Sequence, residues 1–99
     1  MATDFIITET AKQDVIEIVV WYDYKQLGLG DRFYKELLIE FERIKRTPTI
    51  FRFYKKDFRR VVIKHFPYLI IFKLTEKKII IYAVVYGGRN PELINKKIN

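Results

Sequence analysis

Five side chains in the second half of the chain have the charge needed for chemistry on an anionic group: Arg59, Arg60, Lys64, His65 and Arg89. Arginine forks onto phosphate oxygens through paired N–H groups. A metal-independent ribonuclease could use such arginines, with a lysine, to stabilise the charge of a phosphorane-like transition state. Histidine is the side chain that changes charge near neutral pH, so His65 is the candidate acid–base group. Each also has a plainer role. Arg59 and Arg60 open a strand-like run, where cations discourage sheet-to-sheet association. His65 precedes Phe66-Pro67-Tyr68 and suits the anchoring of a turn. Arg89 follows Gly87-Gly88, which lets the backbone bend sharply at the mouth of a sheet. If the chain cleaves RNA, the catalytic candidates are Arg60, Lys64, His65 and Arg89. If it binds a protein, the contact candidates are Arg59, Arg60, Lys64, Tyr68 and Arg89.

Other chemistries lack their residues. The chain has no glycine-rich phosphate loop, no serine-centred elbow and no His-x-x-x-His pair. With one histidine and no cysteine, disulfides and thiol catalysis are excluded, and neither a metal site nor a cofactor is expected. Charge points instead to a partner. Residues 1–50 carry seven Lys/Arg against nine Asp/Glu, a net −2, whereas residues 51–99 carry twelve against three, a net +9. The C-terminal half therefore presents a basic face to something anionic: nucleic acid, an acidic protein segment or an anionic membrane surface.

The elements that must position these residues follow from periodicity. Asp4 to Ile7 reads as a first strand. Thr10 precedes Gln13 at capping-box spacing, which starts a helix with Ala11, Val15, Ile18 and Tyr22 on one buried stripe. Gly28-Leu29-Gly30 ends it, and Asp31 is placed to cap a second helix, whose stripe is Phe33, Leu37, Phe41 and Ile44. Thr47-Pro48 stops that helix, because proline disfavours helical geometry in the residue before it. Thr49 to Asp57 reads as an aromatic and basic connection. Three strand-like runs follow, Phe58 to Phe66, Tyr68 to Thr75 and Lys78 to Tyr86, turning at Pro67 and at Glu76-Lys77. The first run puts Arg60, Val62 and Lys64 on one face, with Val61, Ile63 and His65 on the other. The last two are apolar almost throughout, as strands covered on both faces are. Glu92 to Ile98 reads as a short helix or a frayed tail.

The expected fold is α+β, an N-terminal strand and a helical hairpin packed on an antiparallel sheet in the order β-α-α-β-β-β. Ninety-nine residues suit a single domain spanning 1–99, and 49% hydrophobic residues suffice for its core. No apolar run approaches the roughly 20 residues of a membrane span, and the N-terminus lacks a secretory signal, so a cytoplasmic location with no membrane partner is expected.

Trp21-Tyr22, Gly28-Leu29-Gly30-Asp31-Arg32-Phe33 and Ile44 with Pro48 resemble the helix hairpin of ParE-like toxins in the RelE/ParE superfamily. Arg59-Arg60-Val61, Phe66-Pro67-Tyr68-Leu69-Ile70-Ile71-Phe72 and Val84-Val85-Tyr86-Gly87-Gly88-Arg89-Asn90-Pro91 resemble that family's strands and closing turn. The resemblance implies the toxin of a type II toxin–antitoxin module, a plasmid stabilisation or addiction system, neutralised by a cognate acidic antitoxin. It implies one of two activities. RelE-like members cleave mRNA in the ribosome with Arg, Lys and Tyr side chains, whereas ParE-like members are associated with inhibition of DNA gyrase. Where RelE-type enzymes carry an arginine this chain has Leu69, and near the position of their C-terminal tyrosine it has Asn95. Arg89 matches the closing arginine, and Arg60 and Lys64 fall near basic positions. The resemblance therefore favours a ParE-like, non-enzymatic gyrase inhibitor. The alternatives are a RelE-like endoribonuclease and a degenerate toxin that only binds antitoxin.

Overall fold

The computed structural model describes residues 4–88 and 91–98. Its elements are β1 (Asp4–Ile7), α1 (Glu9–Lys25), α2 (Leu29–Arg46), a 3-10 turn at Pro48–Ile50, β2 (Phe53–Lys55), β3 (Phe58–Val62), β4 (Tyr68–Leu74), β5 (Lys78–Tyr86) and α3 (Pro91–Ile98). The α+β class and the helical hairpin are as read from the sequence. One element is added, since part of the Thr49–Asp57 connection is the short strand β2. Of the two readings of Glu92 to Ile98, the short helix is the one found, as α3.

The sheet has the order β1-β5-β4-β3-β2. The meander of β3, β4 and β5 is antiparallel, but β1 pairs parallel to β5, with Phe5 opposite Ile79 and Ile7 opposite Ile81, so the sheet is mixed. The long connection that parallel strands require contains both hairpin helices.

Local chemistry explains the boundaries. The cap of α1 is Thr8, not Thr10: its side-chain oxygen accepts the Ala11 N–H at 3.1 Å. Thr8 is also fixed from the sheet side, since its N–H donates to the Ile81 carbonyl and its hydroxyl to that of Tyr82. Asp31 does not cap α2. It sits in the first turn and pairs with Lys35, while the Asp23 carboxylate from the end of α1 accepts the Gly30 N–H at 2.8 Å. The α2 stripe is buried as expected, with Phe33, Leu37 and Ile44 fully enclosed. Each such side chain contributes about 1.5–3 kcal/mol of burial.

The sheet separates two cores. The hairpin covers one face, over Val61, Ile70, Phe72, Ile81 and Val84. On the other, Ile94 and Ile98, one turn apart on α3, cover Phe58, Ile71, Ala83 and Val85. A bulge allocates the apolar run of β5, Ile79 to Tyr86, between them. Ile71 opposes Ala83 but Phe72 opposes Ile81, leaving Tyr82 as the extra residue. Side-chain parity flips there, so Ile79 and Ile81 face the hairpin before it, and Ala83 and Val85 face α3 after it.

Candidate functional site

Among the described residues, the sequence-selected cations do not line one common cleft. Arg59 is engaged with its own chain: its Nη1 donates to the carbonyls of Phe51 at 2.8 Å and Thr49 at 3.3 Å, and its guanidinium lies 4.1 Å from the Phe53 ring centroid. It ties the connection between α2 and β2 to the start of β3. Arg60, half-buried, lines a cleft of about 380 Å³ with Arg43, Ile50, Phe51, Arg52, Val61 and Val62. Strand β3 ends at Val62, so Lys64 and His65 do not continue its alternation as expected. Both are exposed in the turn before β4. The strand stops because Phe66 N–H bends back to the Ile63 carbonyl and His65 adopts φ 70°. Arg89 lies outside the described residues.

His65 is thus the turn residue of the plainer reading. A left-handed backbone costs a residue bearing Cβ roughly 1 kcal/mol that glycine is spared. His65→Gly is expected to raise unfolding stability by about that amount in urea denaturation. A fall in stability would show that the imidazole makes contacts which outweigh the backbone cost.

Tyr68 belongs to a second cleft, of about 160 Å³, lined also by Asp14, Glu17, Trp21, Tyr86 and Lys97. It shares no lining residue with the arginine cleft. The Tyr68 ring packs at 5.6 Å from Phe33, 5.9 Å from Tyr86 and 6.1 Å from Tyr22. Burial, followed by the neighbouring Tyr68 and Tyr86 hydroxyls, pushes the Tyr22 phenol above its usual range. Leu69 is half-buried against the α3 core, and the Asn95 carbonyl oxygen accepts the Tyr54 hydroxyl at 3.3 Å. The two positions that depart from the RelE pattern therefore serve packing and the docking of α3.

Sequence reasoning misses two buried acids. Asp14 Oδ2 accepts the Val84 N–H at 3.0 Å, and its other oxygen is paired with the Lys97 ammonium. Because β1 ends at Ile7, the edge of β5 beyond Ile81 has lost its strand neighbour, and Asp14 supplies the acceptor that Val84 needs there. Glu40 is held by Arg43 Nη1 at 2.6 Å. A signal for both exists in the spacing. Asp14 lies three residues after Ala11 and four before Ile18; Glu40 stands likewise between Leu37 and Ile44. Both acids occupy places in an apolar stripe.

Helix α1 also has a second apolar side. Ile16, Val20, Trp21 and Tyr24 are each more than half exposed, and they border one shallow depression with Glu17. Ile16 and Val20 also border a neighbouring depression that reaches Tyr34 of α2. Several large apolar side chains exposed side by side on one helix give this outer surface the character of a protein-contact face. Among the described residues, no helix is long and apolar enough to cross a membrane.

Comparison with known proteins bears on this arrangement. A family model described as the ParE toxin of the type II toxin–antitoxin system, parDE, matches residues 5–91. A solved structure titled "Chromosomal ParDE TA system from P. aeruginosa" contains a chain of similar fold, at a TM-score of 0.76 and 12% identity, over 85% of this chain and 95% of that one. No curated protein matches.

Proposed function

Because the chain belongs to the ParE toxin family of type II toxin–antitoxin systems, we propose that it arrests growth by protein–protein contact with DNA gyrase and is neutralised by a cognate acidic antitoxin. The observation that carries this reading is the outer face of α1, where Ile16, Val20, Trp21 and Tyr24 stand exposed. Aromatic and aliphatic side chains on a rigid helix supply the contact area on which protein recognition relies. The placement of the described candidates supports the same reading. Among them, Arg60 lines one cleft, Tyr68 another, and Lys64 and His65 sit in an exposed turn. Phosphoryl-transfer chemistry needs its charged groups convergent on one scissile bond. On this reading the chain is a single toxin domain that works in the cytoplasm without a cofactor, within a plasmid-stabilising or addiction module.

The test is supercoiling of relaxed plasmid by purified gyrase in the presence of excess toxin. Inhibition is expected, and Val20→Glu, which places a charge on the exposed face without disturbing the core, should weaken it by about tenfold or more. Supercoiling that proceeds unaffected at high molar excess would refute gyrase as the target. Primer extension on translated mRNA completes the comparison, since site-specific cleavage there would favour the nuclease alternative.

A further inference from the structure

The cleft that contains Tyr68 runs against the charge of the molecule as a whole. Helix α1 has four acids, Glu9, Asp14, Glu17 and Asp23, against Lys12 and Lys25, in a chain of net charge +7. Asp14 and Glu17 stand three residues apart, so they are neighbours on one side of the helix, and both line the cleft. Trp21, Tyr68 and Tyr86 supply its aromatic walls. With Trp21 52% and Tyr86 46% exposed, these walls are open to solvent.

The molecule's own lysines show what this lining attracts. The Lys97 ammonium pairs with Asp14 Oδ1, and Lys25 Nζ lies 5.2 Å from the Trp21 ring centroid. Glu17 makes no ion pair among the described residues, and its carboxylate accepts from Gln13 Nε2 at 3.2 Å. Lys97 is 29% exposed, and α3 is anchored independently through Ile94 and Ile98, so the ammonium can leave while the helix stays. Asp14 Oδ2 remains on Val84 N–H whatever occupies Oδ1.

Size and position narrow the ligand. At about 160 Å³ the cleft is smaller than the roughly 300–1,000 Å³ of small-molecule sites and suits a single side chain. Glu17 and Trp21 also border the apolar depression on the outer face of α1, with Val20 and Tyr24. A protein covering that face therefore reaches the cleft and excludes water around it. Arginine suits the lining better than lysine, because its planar fork can bond two carboxylates while stacking on aromatic rings.

We propose that the cleft takes one arginine side chain of the protein that docks on α1. Its guanidinium replaces the Lys97 ammonium on Asp14, bonds Glu17 and stacks against the aromatic walls. The chemistry stands on the cleft; assigning the arginine to gyrase rests on the function proposed above. An arginine anchor ringed by apolar contacts is an arrangement that concentrates binding energy at protein interfaces.

The probes are Nα-acetyl-arginine amide and its neutral isostere Nα-acetyl-citrulline amide, titrated against the full chain. Trp21 is the single tryptophan, so its fluorescence reports the cleft directly. A saturable change is expected with the arginine compound, and binding about tenfold or more weaker with citrulline, given the worth of hydrogen bonds to charged groups. Glu17→Gln, an exposed change that leaves the core intact, should weaken the arginine compound by about threefold or more. Lys97→Met removes the internal competitor and should tighten it by about threefold, a gain that a merely structural ion pair does not produce. Three outcomes overturn the proposal: no saturable change, equal binding of citrulline, or affinity unchanged or weakened in Lys97→Met. The gyrase reading fails separately, if supercoiling proceeds unaffected by the wild-type chain while the arginine compound still binds.

Discussion

Replacing Asp14 with alanine is expected to lower unfolding stability by about 3 kcal/mol, and to loosen α3 before the rest of the chain unfolds. The carboxylate is 6% exposed and serves two elements at once, β5 through Val84 N–H and α3 through Lys97. Alanine leaves the Val84 N–H buried without an acceptor, which costs about 1–3 kcal/mol. It also strands an ammonium in a partly enclosed site. Lys97 is 29% exposed and can turn toward solvent, so the loss stays below that of a fully buried pair broken in half. Asp14→Asn separates the contributions, because its carbonyl oxygen can still accept from Val84 while the ion pair is gone. It should cost about 1 kcal/mol. Urea denaturation measures the totals, and amide exchange across residues 91–98 reads the release of α3. If alanine and asparagine prove equally mild, the contact with Val84 contributes little and the edge of β5 must be satisfied by water.

The same residue shows how much of this molecule is legible in its sequence. Helix α2 is legible almost completely, because Phe33, Leu37, Phe41 and Ile44 recur on one buried stripe and Pro48 stops it, although Tyr34, Leu38 and Ile39 lie partly exposed outside that stripe. Helix α1 is harder. Its inner stripe follows from the spacing, but Ile16, Val20, Trp21 and Tyr24 add a second apolar side, and periodicity alone does not tell a buried side from one awaiting a partner. Thr8 and Thr10 are equally good caps locally; the choice between them is made by Ile81 and Tyr82, more than seventy positions away. The parallel pairing of β1 is equally non-local. Strand β2, three residues among aromatics and cations, is too short to show a period. In β5 the bulge at Tyr82 leaves no trace, since every neighbour is apolar and either parity would bury something.

The candidate site is legible by residue type and not by place. Arginine at positions 59 and 60 has the right chemistry for an anion. Only the fold separates them, sending Arg59 to its own loop carbonyls and Arg60 into a cleft with Arg43 and Arg52, which no local pattern links to it. Leu69 and Asn95 stand in the sequence as departures from a catalytic set, and the fold gives each a structural occupation.

Gly30→Ala is expected to cost about 3–4 kcal/mol, from overpacking together with loss of a helix cap. An added Cβ would stand 2.4 Å from the Val19 carbonyl oxygen and 2.9 Å from the Asp23 carboxylate. The first of these is backbone in the middle of α1 and cannot give way unless the hairpin splays. The second is the group that accepts the Gly30 N–H, so the displacement also uncaps α2. Gly28 is the internal control. It has φ 90° and nothing within 4 Å of where a methyl group would stand, so Gly28→Ala meets only the left-handed backbone cost of roughly 1–2 kcal/mol. For a chain of this length the Gly30 loss corresponds to a fall in Tm of roughly 15 °C or more. The two variants, compared in thermal and urea unfolding, distinguish close approach from conformational freedom as the reason for Gly28-Leu29-Gly30. Equal losses would mean that the helices can separate at little cost. A far larger loss at Gly30 would mean that the contact between α1 and α2 holds the hairpin rigid, and with it the apolar outer face of α1.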